Sequence, residues 1–193
     1  MSDNHSDLRD LAAGFAVSAE DFTSTVTEVA SGAVSEAAIS LLLLGLSDIL
    51  AAGARLGAIT DVVPDERFEP DTGVVADTSV LATALANLLD GIDEYYEVED
   101  PVLAPDVAVS SVSTDLALIV DALRQGLDHY RAGDVLEALW WWQFSYLANW
   151  GERASSAIRV LQTILAHLRL GVSDEVAAEA VFEALYEPDN VDS

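Results

Sequence analysis

The amino-acid sequence predicts an all-α fold, a single-domain helical bundle of about six helices with long loops after helices two and three. The chain has 193 residues, enough for one domain with a sizeable core, and 51% of them are hydrophobic. Apolar residues recur at spacings of three and four, which is the period of an amphipathic helix. We see no strand-like alternation that competes with this pattern.

Capping residues mark the first three predicted helices. Ser18 is the predicted N-cap of the first helix, and Gly32 lies just past its end. Ser35 starts a longer helix whose leucines and isoleucines gather on one face. The stretch ITDVVPDERFEPDTG, with two prolines and a glycine, then predicts the first long loop. Asp77 is the predicted cap of the third helix.

The C-terminal half predicts three more helices. The stretch EYYEVEDPVLAPD ends the third helix and predicts the second long loop. Ser113 is the predicted cap of the fourth helix, which Gly133 ends. An aromatic helix then runs from about residue 135 to about residue 170, with Gly151 as its candidate kink. Ser173 caps the last helix.

The domain boundaries follow from these elements. Residues 1–17 predict a polar N-terminal tail that is partly helical, and residues 18–187 predict the bundle domain. Residues 188–193, which begin at Pro188, predict a disordered C-terminal tail.

Charge and composition limit the partners of this chain. Acidic residues number 34 against 8 basic ones, all arginine, which gives a net charge of −26. Such a surface repels phosphate groups, so we expect neither nucleic acid nor an anionic membrane as a partner. The acidity indicates either a solubilising surface or a dock for a basic partner.

Sequence features also indicate the cellular compartment of the protein. The chain has no cysteine, which excludes disulfides, zinc–thiolate sites and cysteine nucleophiles. The first ten residues lack the pattern of a secretory signal. Asp48 and Arg55 interrupt the most apolar run, so we expect no membrane span and a cytoplasmic protein.

The segment EALWWWQFSYLANWG, residues 137–151, belongs either to the hydrophobic core or to a binding site. On a wheel of about 100° per residue, one broad face of the aromatic helix is apolar. This predicted core stripe consists of Leu136, Leu139, Trp140, Leu147, Trp150, Ala154, Ile158, Leu161, Leu165 and Leu168. Gln143 lies within the stripe, so its amide either ties the helix to a neighbouring backbone or faces a ligand in an interhelical pocket.

A second group lies beside the stripe and combines aromatic rings with polar groups. Trp142, Tyr146, Asn149 and Arg153 fall within a narrow arc at spacings of three and four. These groups suit a carbonyl, carboxylate or aromatic ligand, or a protein contact, or simple burial on two sides of a central helix. Trp141 points elsewhere, towards a covering helix or a partner.

Three segments carry a resemblance to a known family. EALWWWQFSYLANWG, GLDHYRAGD and ARLGAITDVVPDERFEPD together resemble an uncharacterised bacterial domain-of-unknown-function family, over about Val26 to Leu170. The family's aromatic block has an acid, an arginine and a histidine where this chain has Trp141, Gln143 and Asn149. If the charged members of the family are catalysts, the loss of these charges speaks against catalysis by this chain. The resemblance further implies that the acidic loop packs near the aromatic helix, which would bring Arg67 to the site.

The first functional hypothesis is a non-enzymatic module that binds an unknown protein or a small ligand. Its predicted site consists of Trp142, Gln143, Tyr146, Asn149, Arg153 and Arg67.

Two alternatives stay open beside the binding module. One is an enzyme of unknown reaction with a site between helices, for which no nucleophile–base pair is visible. The other is a structural or oligomerisation role, with Trp141 in a homodimer contact. We expect no di-metal site, because neither His129 nor His167 follows an acid at the spacing of di-metal bundles. We also expect no catalytic residue, other metal site or cofactor, because the sequence has no Gly-rich phosphate loop, G-x-S-x-G or H-E-x-x-H motif.

Overall fold

The structure, a computed structural model, describes residues 2–59, 61–63, 78–98, 102–103 and 106–170. The described helices are α1 (Ser2–Ala30), α2 (Ala38–Gly57), α3 (Ser79–Leu88), α4 (Val112–Ala132), α5 (Val135–Ser145) and α6 (Gly151–Leu170). A 3₁₀ turn, Ser35–Ala37, leads into α2, and a π-helical turn, Tyr146–Trp150, joins α5 to α6. The predicted single-domain bundle is confirmed as a mostly helical single domain, with one small two-stranded sheet.

Helix α1 is much longer than predicted. It begins at Ser2, and the prediction of an N-cap at Ser18 is wrong, because that residue lies inside the helix with its hydroxyl donating to the Gly14 carbonyl at 3.3 Å. Ala12 and Phe15, assigned from sequence to the tail, are buried in the core. They extend the apolar stripe of α1 towards its N-terminus, so the helix gains burial on both sides of Ser18.

Helix α2 lies against α1 and α6 and supplies a fully buried stripe, Leu42, Leu46, Ile49 and Leu56. By length and composition, Ser35–Gly57 could also span a membrane, with a mean hydropathy of 1.9. The core helix of a soluble protein passes the same test, and this helix contributes its buried stripe to the core described here.

A β-hairpin replaces part of the second predicted loop. Strands β1 (Glu94–Val98) and β2 (Val107–Ser111) pair antiparallel, with Tyr95 opposite Ser110 and Tyr96 opposite Val109. The prediction of no strand was therefore wrong. The error arose because acidic residues are interleaved in EYYEV. They hide the alternation of a strand, in which Tyr95 is buried and its neighbours are not.

The N-cap of α4 lies two residues earlier than predicted. Ser111 is the N-cap, and its hydroxyl accepts from the Thr114 amide at 3.4 Å. Ser113 lies in the first turn, where its amide and hydroxyl donate to the two oxygens of Asp93 at 2.8 and 2.6 Å. The predicted end at Gly133 is confirmed, because that residue adopts a left-handed φ of 95°.

The aromatic helix is continuous from α5 to α6, as predicted, and its irregularity precedes Gly151 rather than centring on it. The Gly151 amide donates to the Tyr146 carbonyl, five residues earlier, and a Cβ at Gly151 would lie 2.6 Å from that oxygen. The wider turn shifts the helical register. Leu147 is therefore 63% exposed, although a regular wheel placed it in the core. Leu168, also predicted as core, is exposed near the end of α6.

Some sequence predictions lie outside the described residues. These are Arg67 and most of the acidic loop around it, the cap at Asp77, the last helix from Ser173, and the tail at residues 188–193.

A close approach of α4 to α5 depends on Gly126. A Cβ at this position would overlap the Trp142 indole, which is fully buried. Helix α4 therefore needs a glycine in its interior, despite the lower helix propensity of glycine.

We expect Gly126→Ala to lower the free energy of unfolding by about 2 kcal/mol, because the added methyl group displaces a packed ring. Gly14→Ala is the matched control: a Cβ there meets no atom within 4 Å, and alanine should stabilise α1 by about 0.5–1 kcal/mol. Urea denaturation followed by circular dichroism measures both. Equal effects of the two substitutions would contradict the packing described for Trp142.

Candidate functional site

Two of the consecutive tryptophans are fixed against α4. The Trp142 indole N–H donates to the Leu123 carbonyl at 3.2 Å, and its ring lies 4.7 Å from that of Phe15. The Trp141 indole N–H donates to the Ala122 carbonyl at 2.8 Å. Trp142 therefore contributes to the core, and Trp141 is covered on one side by a neighbouring helix.

Gln143 uses both ends of its buried amide on the backbone. Its Oε1 accepts from the Val62 amide at 2.9 Å, and its Nε2 donates to the Leu56 carbonyl at 2.8 Å. These contacts tie α5 to the end of α2 and to the segment that follows. They correspond to the structural interpretation of Gln143 rather than to a ligand-facing amide.

Tyr146 fills a gap between α2 and the π turn. Its ring makes an edge contact with Trp150 at 4.9 Å and lies where a Cβ of Gly53 or Gly57 would otherwise be. Trp150 in turn donates its indole N–H to the Ser145 hydroxyl at 3.1 Å. Tyr146 thus belongs to the interface between helices.

Asn149 and Arg153, the other two members of the predicted arc, line a cleft between the hairpin and the junction of the π turn with α6. The cleft has a volume of about 370 Å³. The hairpin contributes Glu97, Val109 and Ser110 among its lining residues. The π turn rotates Asn149 away from the core, so the structure separates this pair from Trp142, Gln143 and Tyr146.

A buried carboxylate organises the wall of this cleft. Asp115 of α4 has no solvent exposure, and its two oxygens accept from the Tyr95 hydroxyl at 2.6 Å and from Arg153 Nη1 at 2.8 Å. Arg153 Nε donates to Asn149 Oδ1 at 2.7 Å. With two of its nitrogens held, the guanidinium has a fixed orientation, while the Arg153 side chain stays 34% exposed.

Burial shifts the acid–base properties of this group. Loss of solvent raises the pKa of Asp115, and the hydrogen bonds from Tyr95 and Arg153 oppose that rise. Burial, followed by the hydrogen bond to Asp115, raises the pKa of Tyr95 as well. Tyr95 therefore remains a neutral donor at physiological pH, and the Arg153 charge offsets that of Asp115.

Two glutamates give the cleft a net negative charge. Glu97 Oε1 accepts from the Ser156 hydroxyl at 2.5 Å, and its other oxygen lies 3.5 Å from the Tyr95 hydroxyl. Glu152 lines the same cleft and is exposed. Because Asp115 already offsets Arg153, these two carboxylates determine the charge that a ligand meets.

The described residues contain no group of three or more His, Asp or Glu side chains that could hold a metal ion. The carboxylates and the amide that line the cleft can instead form hydrogen bonds with a small molecule and complement its charge. Arg67, the remaining residue of the predicted site, lies outside the described residues, so its relation to the cleft stays a prediction.

Sequence reasoning missed Tyr95, Glu97 and Asp115. Asp115 was detectable, because it lies at helical spacing from Val112 and Ile119 on the apolar face of α4. An acid in such a position requires donors from elsewhere in the fold. Tyr95 and Glu97 alternate in β1, and only the hairpin brings them to the cleft.

Comparisons with known proteins identify a family and a fold. A family model described as "Domain of unknown function (DUF5063)" matches residues 6–167, and no curated protein matches the chain. Among solved structures, the chain is similar to protein BF1032 from Bacteroides fragilis, a structural genomics target, with a TM-score of 0.64 and 19% sequence identity. The match covers 78% of this chain and 89% of that one. At this identity, the likeness supports the fold alone.

We expect Gln143→Leu to destabilise the protein, because the Val62 amide and the Leu56 carbonyl lose their partner in a buried environment. Each such group costs about 1–3 kcal/mol. Gln162→Leu, at an exposed position of α6, is the control and should change the unfolding free energy little. Unchanged stability of the Gln143 variant in urea denaturation would show that its amide is not needed to join α5 to α2.

We expect Arg153→Gln to lower the unfolding free energy by about 3 kcal/mol at neutral pH, because buried Asp115 loses its cation. The folded variant then has an Asp115 pKa raised further above the unfolded value. Its deficit relative to wild type should therefore grow as pH rises above the ordinary range of an aspartate, where Asp115 ionises, and shrink in acid as Asp115 is protonated. Denaturation at several pH values checks this, with exposed Arg159→Gln as control. A deficit independent of pH would contradict the pairing.

Proposed function

The chain belongs to the family described as "Domain of unknown function (DUF5063)", and because this description assigns no activity, we propose a function from the geometry of the cleft. The resemblance found in the sequence is thereby confirmed at the level of the family. We propose that the protein is a non-enzymatic binding module that holds a small organic cation between the hairpin and α6.

The charge of the cleft carries this proposal. Glu97 and Glu152 line it, and the Arg153 beside them is already paired with buried Asp115 at 2.8 Å. A neutral or anionic ligand would leave the negative charges of the two glutamates without a counter-charge. An ammonium or guanidinium group carries the opposite charge and has only donors, so it would donate hydrogen bonds to both carboxylates. Charge-assisted hydrogen bonds of this kind are stronger than neutral ones.

The size and lining of the cleft favour a short ligand. A volume of about 370 Å³ lies near the lower end of the range for small-molecule sites. Ala108, which lies opposite Glu97 on the cleft side of the hairpin, and Ala148 provide apolar contact for a short carbon chain, and the Ser110 hydroxyl and Asn149 amide provide polar contact. The fixed guanidinium of Arg153 holds the wall in place before a ligand arrives, which lowers the entropy cost of binding.

We expect isothermal titration calorimetry at low salt to detect binding of agmatine, a short guanidinium–ammonium cation, and no binding of glutarate, a dianion of similar length. Glu97→Gln and Glu152→Gln should each weaken agmatine binding roughly tenfold, because each removes one charge-assisted contact. Glu36→Gln, which removes the same charge from an exposed site in the 3₁₀ turn, is the matched control and should leave binding unchanged.

Three results would refute this proposal. Agmatine could fail to bind the folded wild-type protein, or glutarate could bind as tightly as agmatine. Equal weakening by Glu36→Gln and the two cleft variants would show attraction by the overall charge of −26 rather than binding in the cleft.

A further inference from the structure

The hairpin has a second face, directed away from Asp115 and exposed to solvent. In the register of the strands Tyr96 lies opposite Val109 and Val98 opposite Val107, and directly opposed residues share a face. All four side chains are exposed, Tyr96 by 75% and Val109 by 64%. We call these four residues the outer face.

The outer face differs sharply from the other side of the same sheet. There Tyr95 is buried on Asp115, and Glu97 accepts from Ser156 of α6. Side chains alternate along a strand, so fixing Tyr95 and Glu97 inward directs Tyr96 and Val98 outward. Single exposed apolar residues are ordinary, but four adjacent ones on one sheet face are typical of a contact surface.

The surroundings of the outer face are acidic. The hairpin segment, residues 94–111, has exposed acids at Glu94 and at Asp106, next to Val107, while its Glu97 lies on the cleft side. It contains no basic residue, and none occurs anywhere between Arg67 and Arg124 in the sequence. Glu94 precedes Tyr96 by two residues and is exposed, so it lies on the same face. An apolar centre thus has an acidic margin.

We propose that the outer face docks a second protein whose matching surface has apolar side chains surrounded by lysine or arginine. Apolar contact with Tyr96 supplies the anchor, since exposed tyrosines often dominate binding energy once they are covered. The acidic margin speeds association with a basic partner and fixes its orientation. A second copy of this chain fits poorly, because each copy carries −26.

This proposal does not rest on the cleft. The outer face and the cleft lie on opposite sides of the hairpin, and their residues differ except that Val109 borders both. Tyr96 and Val98 are therefore the positions at which docking can be tested separately from ligand binding.

The test uses a defined probe: a fluorescein-labelled peptide of alternating arginine and valine, followed by fluorescence anisotropy. We expect it to bind the wild-type chain and to lose affinity roughly tenfold with Tyr96→Thr, which removes the anchor and keeps a residue suited to a strand. Leu44→Gln, at an exposed apolar position of α2, is the control and should bind as wild type. Circular dichroism confirms that each variant is folded.

Matched peptides separate apolar docking from simple attraction of charge. Replacing valine by serine in the peptide should weaken binding as much as Tyr96→Thr does, and replacing arginine by glutamate should abolish it. Equal affinity of the arginine–serine peptide would overturn the proposal, because the outer face would then contribute nothing. So would unchanged binding to Tyr96→Thr.

Light scattering and agmatine titration complete the experiment. A dimer of the wild-type chain that Tyr96→Thr dissociates would overturn the proposal in favour of a second copy as occupant. Agmatine affinity should be the same in wild type and Tyr96→Thr, which keeps failure of the docking surface distinguishable from failure of the cleft.

Discussion

The buried carboxylate of Asp115 is the constraint on which the hairpin and the cleft both depend. A carboxylate without solvent must receive hydrogen bonds or lose its charge, and here the donors come from β1 and α6. Tyr95 thereby holds the hairpin on the bundle, and Arg153 holds the position of α6 against α4. Arg153 also orients Asn149, and the inward position of Tyr95 leaves the opposite side of the hairpin free of the core.

The aromatic segment is chiefly a packing device, and its partners are glycines. Trp142 fits over Gly126 of α4, while Tyr146 and Trp150 fit over Gly53 of α2. Large flat rings can bring three helices together only where the facing helix lacks a Cβ. Their indole N–H groups reach Leu123 and other acceptors nearby, so the polar atoms of these rings are satisfied within the core.

The candidate site was partly predictable, and the π turn explains which part was not. Asn149 and Arg153 were assigned to a polar arc from their spacing, and both line the cleft. Trp142 and Tyr146 shared that arc on a regular wheel. The structure buries Trp142 over Gly126 and packs Tyr146 between helices, whereas the wider turn after Ser145 directs Asn149 and Arg153 to the cleft. Local spacing cannot reveal this change, since it depends on packing around Gly151.

The sequence by itself determined the helical class, the extent of the aromatic helix, the end of α4 at Gly133 and the acidic surface. These follow from period, capping and composition, which are local properties. Tertiary structure alone decided that α1 continues through Ser18, that acidic EYYEV is a strand, and that Asp115 meets Arg153. Each of these depends on burial against residues distant in sequence, and burial outweighs local preference when a buried charge or an apolar stripe must be covered.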